Sequence, residues 1–127
     1  MLTSKIMNYY VISINTKTSI GEALDIMEKN NINGLPVVDD YKNLKGIIVK
    51  TDIYRFLMYE GHNKAYPVEL AMTKNVLSVN KDEDIYSVGK KLREKNIIAM
   101  PVVDDNKVVG IISIEDILDY LLKNTVK

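Results

Sequence analysis

At 127 residues the chain is the size of one compact domain, long enough to hide roughly two thirds of its unfolded surface. Seventeen basic and seventeen acidic residues cancel, so no overall field draws in a nucleic-acid backbone or an anionic membrane. The lack of cysteine excludes disulfides and thiolate metal sites, and a single histidine without a ligand pattern around it argues against structural zinc.

Residues 1–15 mix Lys5, Asn8 and tyrosines with short apolar runs. They lack both the continuous apolar stretch of a signal peptide and the roughly 20 apolar residues of a membrane span, so a cytoplasmic location is expected. A short strand leads into a helix whose start is marked by Ser19 and, three residues later, Glu22, the pattern of a capping box. Ile20, Ala23, Leu24 and Met27 fall on one face of that helix, which ends near Asn30-Asn31. Residues 35–38 and 46–49 are short β-branched runs around the turn-forming residues 39–43, and residues 52–59 form a second helix with an apolar stripe at Ile53, Phe56 and Leu57. Residues 61–69 read as a linker, in which His62 is expected to face solvent.

The same order then recurs. Leu35-Pro-Val-Val-Asp-Asp40 returns as Met100-Pro-Val-Val-Asp-Asp105, and Gly46-Ile-Ile48 as Gly110-Ile-Ile112, each followed by Asp-Ile. The first offset is 65 residues and the second 64, so the second copy has lost one residue in a turn, where such changes are absorbed easily. The 65-residue offset also aligns Met7 with Met72, Val11 with Val76, Ser13 with Ser78 and Ile20 with Ile85. In the second copy Asp84 caps the first helix, Ile85, Val88 and Leu92 form its buried stripe, and residues 115–123 carry a stripe at Ile117, Leu118 and Leu121. A solenoid needs several stacked units, so an α/β chain (of the α+β type) is expected, with two pseudo-symmetric repeats, 5–60 and 70–123, each strand-helix-strand-strand-helix, packed into one module.

These residues resemble a known family. The order strand, helix, x-Pro-Val-Val-Asp, Gly-Ile-Ile-x-x-x-Asp-Ile, repeated with Met72-Thr73 opening the second copy, looks like a tandem pair of CBS (cystathionine β-synthase) repeats over nearly the whole chain. The resemblance implies a regulatory module rather than an enzyme, with two inter-repeat clefts that bind AMP, ADP, ATP, S-adenosylmethionine or a related adenosyl ligand. It also implies that modules pair into disc-like homodimers, and it leaves room for a separate effector protein on which a stand-alone pair would act.

In the family's binding motif a Ser or Thr lies three residues before an Asp at the start of the last helix. Ser113 and Asp116 match it; the first copy has Asp52, preceded by Thr51, but Val49 in place of the hydroxyl. The chemistry fits: an ionised carboxylate accepts charge-assisted hydrogen bonds from both hydroxyls of a ribose, and a serine hydroxyl beside a helix N-terminus suits a ribose or phosphate oxygen. Gly34 and Ala99 are small residues that leave backbone room for a flat base, before Leu35 and Met100. By the family's arrangement, Met7 and Ile12 belong to the cleft of Asp116, and Met72 and Leu77 to that of Asp52, as apolar walls for an adenine. Glu115 opposes a polyphosphate at Asp116, whereas Lys50 and Arg55 flank Asp52. The Asp116 cleft is therefore expected to take a ligand with few phosphates, such as AMP, or the sulfonium of S-adenosylmethionine. The Asp52 cleft is expected to be empty or to favour phosphates.

Plainer readings stand beside these. A carboxylate in the first turn stabilises any helix through its dipole, and Ser113 fits equally as a strand-end hydroxyl bonded to its own backbone. The methionines at apolar positions fit as core filler. Asp39-Asp40 and Asp104-Asp105 sit in turns, no nucleophile has an adjacent base, and no phosphate-binding glycine loop occurs, so no active site, catalytic residue or metal site is expected. The alternative function is a ligand-free dimerisation or protein-interaction module.

Overall fold

Ser19 starts the first helix as its spacing to Glu22 suggests: its Oγ accepts a hydrogen bond from the Glu22 amide at 3.1 Å. The computed structural model, which describes residues 1–125, divides the chain into two units. The first unit is Ile12–Val76; the second joins Met1–Val11 to the residues from Leu77 onward.

The first unit contains β1 (Ile14–Asn15), α1 (Ile20–Lys29), β2 (Gly34–Val38), β3 (Leu44–Val49) and α2 (Lys50–Leu57). The four apolar positions of α1, Ile20, Ala23, Leu24 and Met27, are all buried, and the helix stops where Asn31 takes a left-handed φ of 53°, a conformation asparagine tolerates well. β1 pairs parallel with β2, and β2 antiparallel with β3. Pro36 sits in the central strand but faces Ile47, whose own amide points away from β2 to Thr73. The N–H that proline lacks would therefore point to the β1 side, and β1 pairs only from Val37 onward.

Residues 61–69 also pack against the rest of the first unit. Gly21 and Ile20 donate their amides to the carbonyls of Lys64 (3.0 Å) and Tyr66 (2.8 Å), so this segment satisfies the open amides at the start of α1. His62 is not out in solvent: it is half-buried, stacked on Phe56 with ring centroids 4.0 Å apart, and its Nδ1 lies 2.8 Å from the Phe56 carbonyl. The apolar ring and the Phe56 carbonyl, which also accepts from the Tyr59 amide, hold the imidazole there.

The second unit contains β4 (Val79–Asn80), α3 (Ile85–Glu94), β5 (Ala99–Asp104), β6 (Lys107–Ser113) and α4 (Ile114–Thr125), paired in the same way. Asp84 caps α3 by accepting from the Tyr86 amide at 3.0 Å, and that bond, against the cost of desolvation, holds its carboxyl below the ordinary value. Asp105 and Asn106 both take left-handed φ in the tight turn between β5 and β6. Ile85, Val88 and Leu92 are buried as their spacing predicts, but Leu118, placed on the apolar stripe of α4, is 50% exposed. It borders a groove between α3 and α4 that nothing within the unit fills. No helix among the described residues is long and apolar enough to cross a membrane.

In both units a short segment, at the end of the first and at the start of the second, is hydrogen-bonded along the outer edge of the last strand. Thr73 exchanges both backbone hydrogen bonds with Ile47 at 2.9 Å, and Asn8 does the same with Ile111 at 2.8 and 3.0 Å. The methionine just before each, Met72 or Met7, lies where a side chain on the neighbouring glycine would stand. A Cβ on Gly46 would come within 2.7 Å of Met72 Sδ and 2.6 Å of the Thr73 carbonyl oxygen; one on Gly110 would come within 2.5 Å of Met7 Sδ.

Substituting either glycine by alanine is expected to destabilise the chain by about 1–3 kcal/mol through overpacking. Gly46→Ala should cost more than Gly110→Ala, because it strikes backbone rather than the flexible end of a side chain. Urea denaturation of the two variants checks the order.

Candidate functional site

Each last helix begins at the residue that ends a strand, so strand pairing fixes where its first turn stands. In the second unit Ser113 closes β6 opposite Ala99, and the Ile114 amide donates to the Ile98 carbonyl at 2.9 Å. Ser113 and Asp116 then hold each other. The Ser113 amide donates to Asp116 Oδ2 at 2.9 Å, and the Asp116 amide donates to Ser113 Oγ at 3.1 Å. This is a reciprocal cap that satisfies two otherwise open amides. It fixes both side chains, leaves the Ser113 hydroxyl hydrogen available as a donor, and leaves Asp116 Oδ1 without a hydrogen bond from the described residues.

The first unit keeps only half of this arrangement. The Val49 amide donates to Asp52 Oδ2 at 3.2 Å, but valine has no oxygen to return to the Asp52 amide. The second carboxylate oxygen, Oδ1, is taken by Arg55 Nη1 at 3.4 Å. Gly34 pairs with Val49, and a Cβ on Gly34 would come 3.0 Å from Val49 Cγ1. The valine thus fills the space that Ala99 and Ser113 share in the second unit.

The other candidate residues fall into distinct places. Leu35 and Met100 are fully buried, and Met7 is only 7% exposed, so all three side chains belong to the core rather than to an open wall. Met72 is half-buried against the core of the first unit, and Thr51 is exposed beside Asp52. Met7 shares a unit with Asp116, and Met72 with Asp52. Ile12 opens the unit that holds Asp52, and Leu77 the segment continuous with Asp116, each outside the unit of the carboxylate assigned to it. Ile98 was not singled out from the sequence. It is 79% exposed and sits one residue before Ala99, beside the start of α4; the signal that could have found it is an isoleucine where the first copy has the polar Asn33.

The charges around the two carboxylates differ in sign. Exposed Glu115 and Asp119 flank Asp116, whereas Lys50 precedes Asp52 and Arg55 pairs with it. Among the described residues no three His, Cys, Asp or Glu side chains cluster as metal ligands.

Comparison with known proteins gives this geometry a context. The family model described as CBS domain matches residues 4–59 and 68–123. An L-aspartate semialdehyde sulfurtransferase of Methanocaldococcus jannaschii is 41% identical over 117 residues, covering 91% of this chain and 22% of that protein. The chain spans about a fifth to a third of the length of curated relatives it matches. Among solved structures, the CBS domain pair of protein MJ0100 in complex with 5′-methylthioadenosine and S-adenosyl-L-methionine is 36% identical with a TM-score of 0.81, covering 98% of both chains. CBSX2 in complex with AMP has a TM-score of 0.85 and covers 96% of both chains; at 23% identity it shows a shared fold.

Ser113→Ala is expected to lower stability by about 1 kcal/mol by removing the cap. Val49→Thr, nearly isosteric, supplies the missing acceptor and should raise stability by a few tenths of a kcal/mol. Denaturant midpoints of the two variants check both signs.

Proposed function

Because the chain belongs to the CBS domain family, with two repeats in tandem, we propose that it is a ligand-binding regulatory module that takes an adenosyl ligand at Ser113 and Asp116. The observation that carries this reading is the open oxygen on a fixed carboxylate. Asp116 is held by its own cap through Oδ2, so Oδ1 is free to accept from a ribose hydroxyl, and the Ser113 hydroxyl is free to donate. Exposed Ile98 and the small Ala99 supply apolar surface beside them for a base.

The charge around this site selects among adenosyl ligands. Glu115 and Asp119 repel a polyphosphate and attract a sulfonium, so S-adenosylmethionine is the first choice, AMP the second and ATP the weakest. The complex of the MJ0100 domain pair with S-adenosyl-L-methionine and 5′-methylthioadenosine supports the same class of ligand. At Asp52 the carboxylate is engaged by Arg55 and the hydroxyl is missing, so that position is weak or vacant for adenosyl compounds. Occupancy is converted into a change in the affinity of the module for another copy or for an effector, to the extent that the ligand binds two conformations unequally. One observation favours the second reading, a ligand-free interaction module: the mutual bonds of Ser113 and Asp116 already give both residues a structural task.

Titration calorimetry separates the two. S-adenosylmethionine and AMP should bind saturably, ATP at least about tenfold more weakly, and Asp116→Asn, which keeps an acceptor for the Ser113 amide, should abolish the heat. Tighter binding of ATP contradicts the charge argument; no heat with any of the three from folded protein supports the interaction module.

A further inference from the structure

Asn33-Gly34 is the one place in the sequence where glycine directly follows asparagine. That order is chemically labile. A glycine amide nitrogen, with no Cβ beside it, reaches the carboxamide carbon of the preceding side chain and closes a five-membered ring. Folded chains suppress the reaction by engaging that nitrogen in a backbone hydrogen bond, and β2 does not do so at Gly34. Ile47 and Val49, which face Pro36 and Gly34, turn their amides away from β2, to the Thr73 carbonyl at 2.9 Å and to Asp52 Oδ2 at 3.2 Å. In an antiparallel pair both residues at such a position point outward, so the Gly34 N–H points to the side of β1. There β1 pairs only with Val37 and Val38, and the Gly34 amide finds no partner among the described residues.

The side chain open to attack is equally free. Asn33 is exposed, and its carboxamide makes no hydrogen bond with the described residues. By contrast, the side chains of Asn15, Asn30 and Asn43 are bonded to Asp40, to the Ile26 carbonyl and to Asp39. Only the main-chain carbonyl of Asn33 is held, by the Lys50 amide at 3.0 Å. The glycine is itself dictated by packing, since a Cβ on Gly34 would come 3.0 Å from Val49 Cγ1. The second unit has Ile98-Ala99 at the equivalent place and carries no such chemistry.

We propose that Asn33 is a site of spontaneous deamidation in the folded chain, and that the isoaspartate it yields detaches the start of α2 from β2. The Gly34 nitrogen, having given its proton to solvent base, bonds to Asn33 Cγ; the Cγ–Nδ2 bond breaks, and Nδ2 takes a proton from water and leaves as ammonia. Water then adds to either carbonyl carbon of the ring, and breaking the bond from that carbon to nitrogen leaves aspartate or isoaspartate. The sum is one water consumed and one ammonia released, with no oxidant or cofactor. Either product adds one negative charge at the residue bonded to the Lys50 amide. In isoaspartate the main chain runs through the former side chain. A methylene is thereby inserted ahead of β2, and the carbonyl that held the Lys50 amide leaves the main chain as a free carboxylate. None of this depends on the ligand reading.

Incubation of the folded full chain in mildly alkaline buffer, followed by peptide mass spectrometry and enzymatic methyl labelling of isoaspartate, tests it. Position 33 should gain the mass of an amide-to-acid exchange before any other asparagine, at a rate within about tenfold of that in the urea-unfolded chain. Slowing by more than about tenfold on folding overturns the proposal, because it means the nitrogen is held. So does amide hydrogen exchange at Gly34 as slow as at Leu35, which stands in the hydrogen-bonded position opposite Ile48. Asn33→Gln, whose longer side chain would need a six-membered ring, should stop the reaction and keep the fold; an undiminished yield of acidic product in this variant assigns the reaction elsewhere and overturns the proposal. The isoaspartate form, separated by ion exchange, should unfold at lower urea than the unmodified chain. Equal midpoints would overturn the effect on α2.

Discussion

A methionine side chain can lie against a strand at the distance seen for Met7 on β6 and Met72 on β3 only if the strand residue beneath it has no Cβ. Gly110 and Gly46 provide that, and the same contact lets the segment around the methionine exchange two backbone hydrogen bonds with the strand edge. The second unit is closed in this way by residues from the opposite end of the sequence, since Met7 is part of its core. Strand position follows from this edge pairing, and helix position follows from the strand: Ser113 and Val49 are the last strand residues and the first turn of each helix starts directly after them. The candidate site therefore inherits its geometry from a packing contact several residues away.

On that shared frame a few substitutions make the two carboxylates chemically different. Serine against valine decides whether the first turn is capped from both sides, and Ala99 against Gly34 follows from the size of that neighbour. Asp119 against Arg55 decides whether the carboxylate keeps an open oxygen or is paired within its own helix. The Asp52 ion pair is exposed on the arginine side and adds little to stability, but it occupies the oxygen that a ribose would need.

Much of the fold was legible because it depends on local chemistry. The cap at Ser19, the buried stripe of α1 and its asparagine stop could be placed from spacing alone, and the repeat offset already aligned Met7 with Met72, which prove to have the same task. Less legible were features that depend on partners distant in sequence. His62 looked like a linker residue because nothing local indicates that Phe56 will offer it a ring and a carbonyl. Leu118 fitted the stripe by period but lies over a gap left by Gly89 on another helix. Leu35 and Met100 looked like ligand neighbours from their place next to a small residue, yet the alternation of the strand turns their side chains into the core. Ile98 went unnoticed because its exposure is set by where α4 begins.

Of two similar carboxylates, Asp116 keeps one oxygen open and Asp52 is engaged at both by its own helix and the strand before it. Equilibrium dialysis with labelled S-adenosylmethionine tests it directly through stoichiometry in the wild type, Asp52→Asn and Asp116→Asn. About one ligand per chain is expected, unchanged in Asp52→Asn and lost in Asp116→Asn. About two ligands per chain, or loss of binding in Asp52→Asn with Asp116→Asn unaffected, would contradict it.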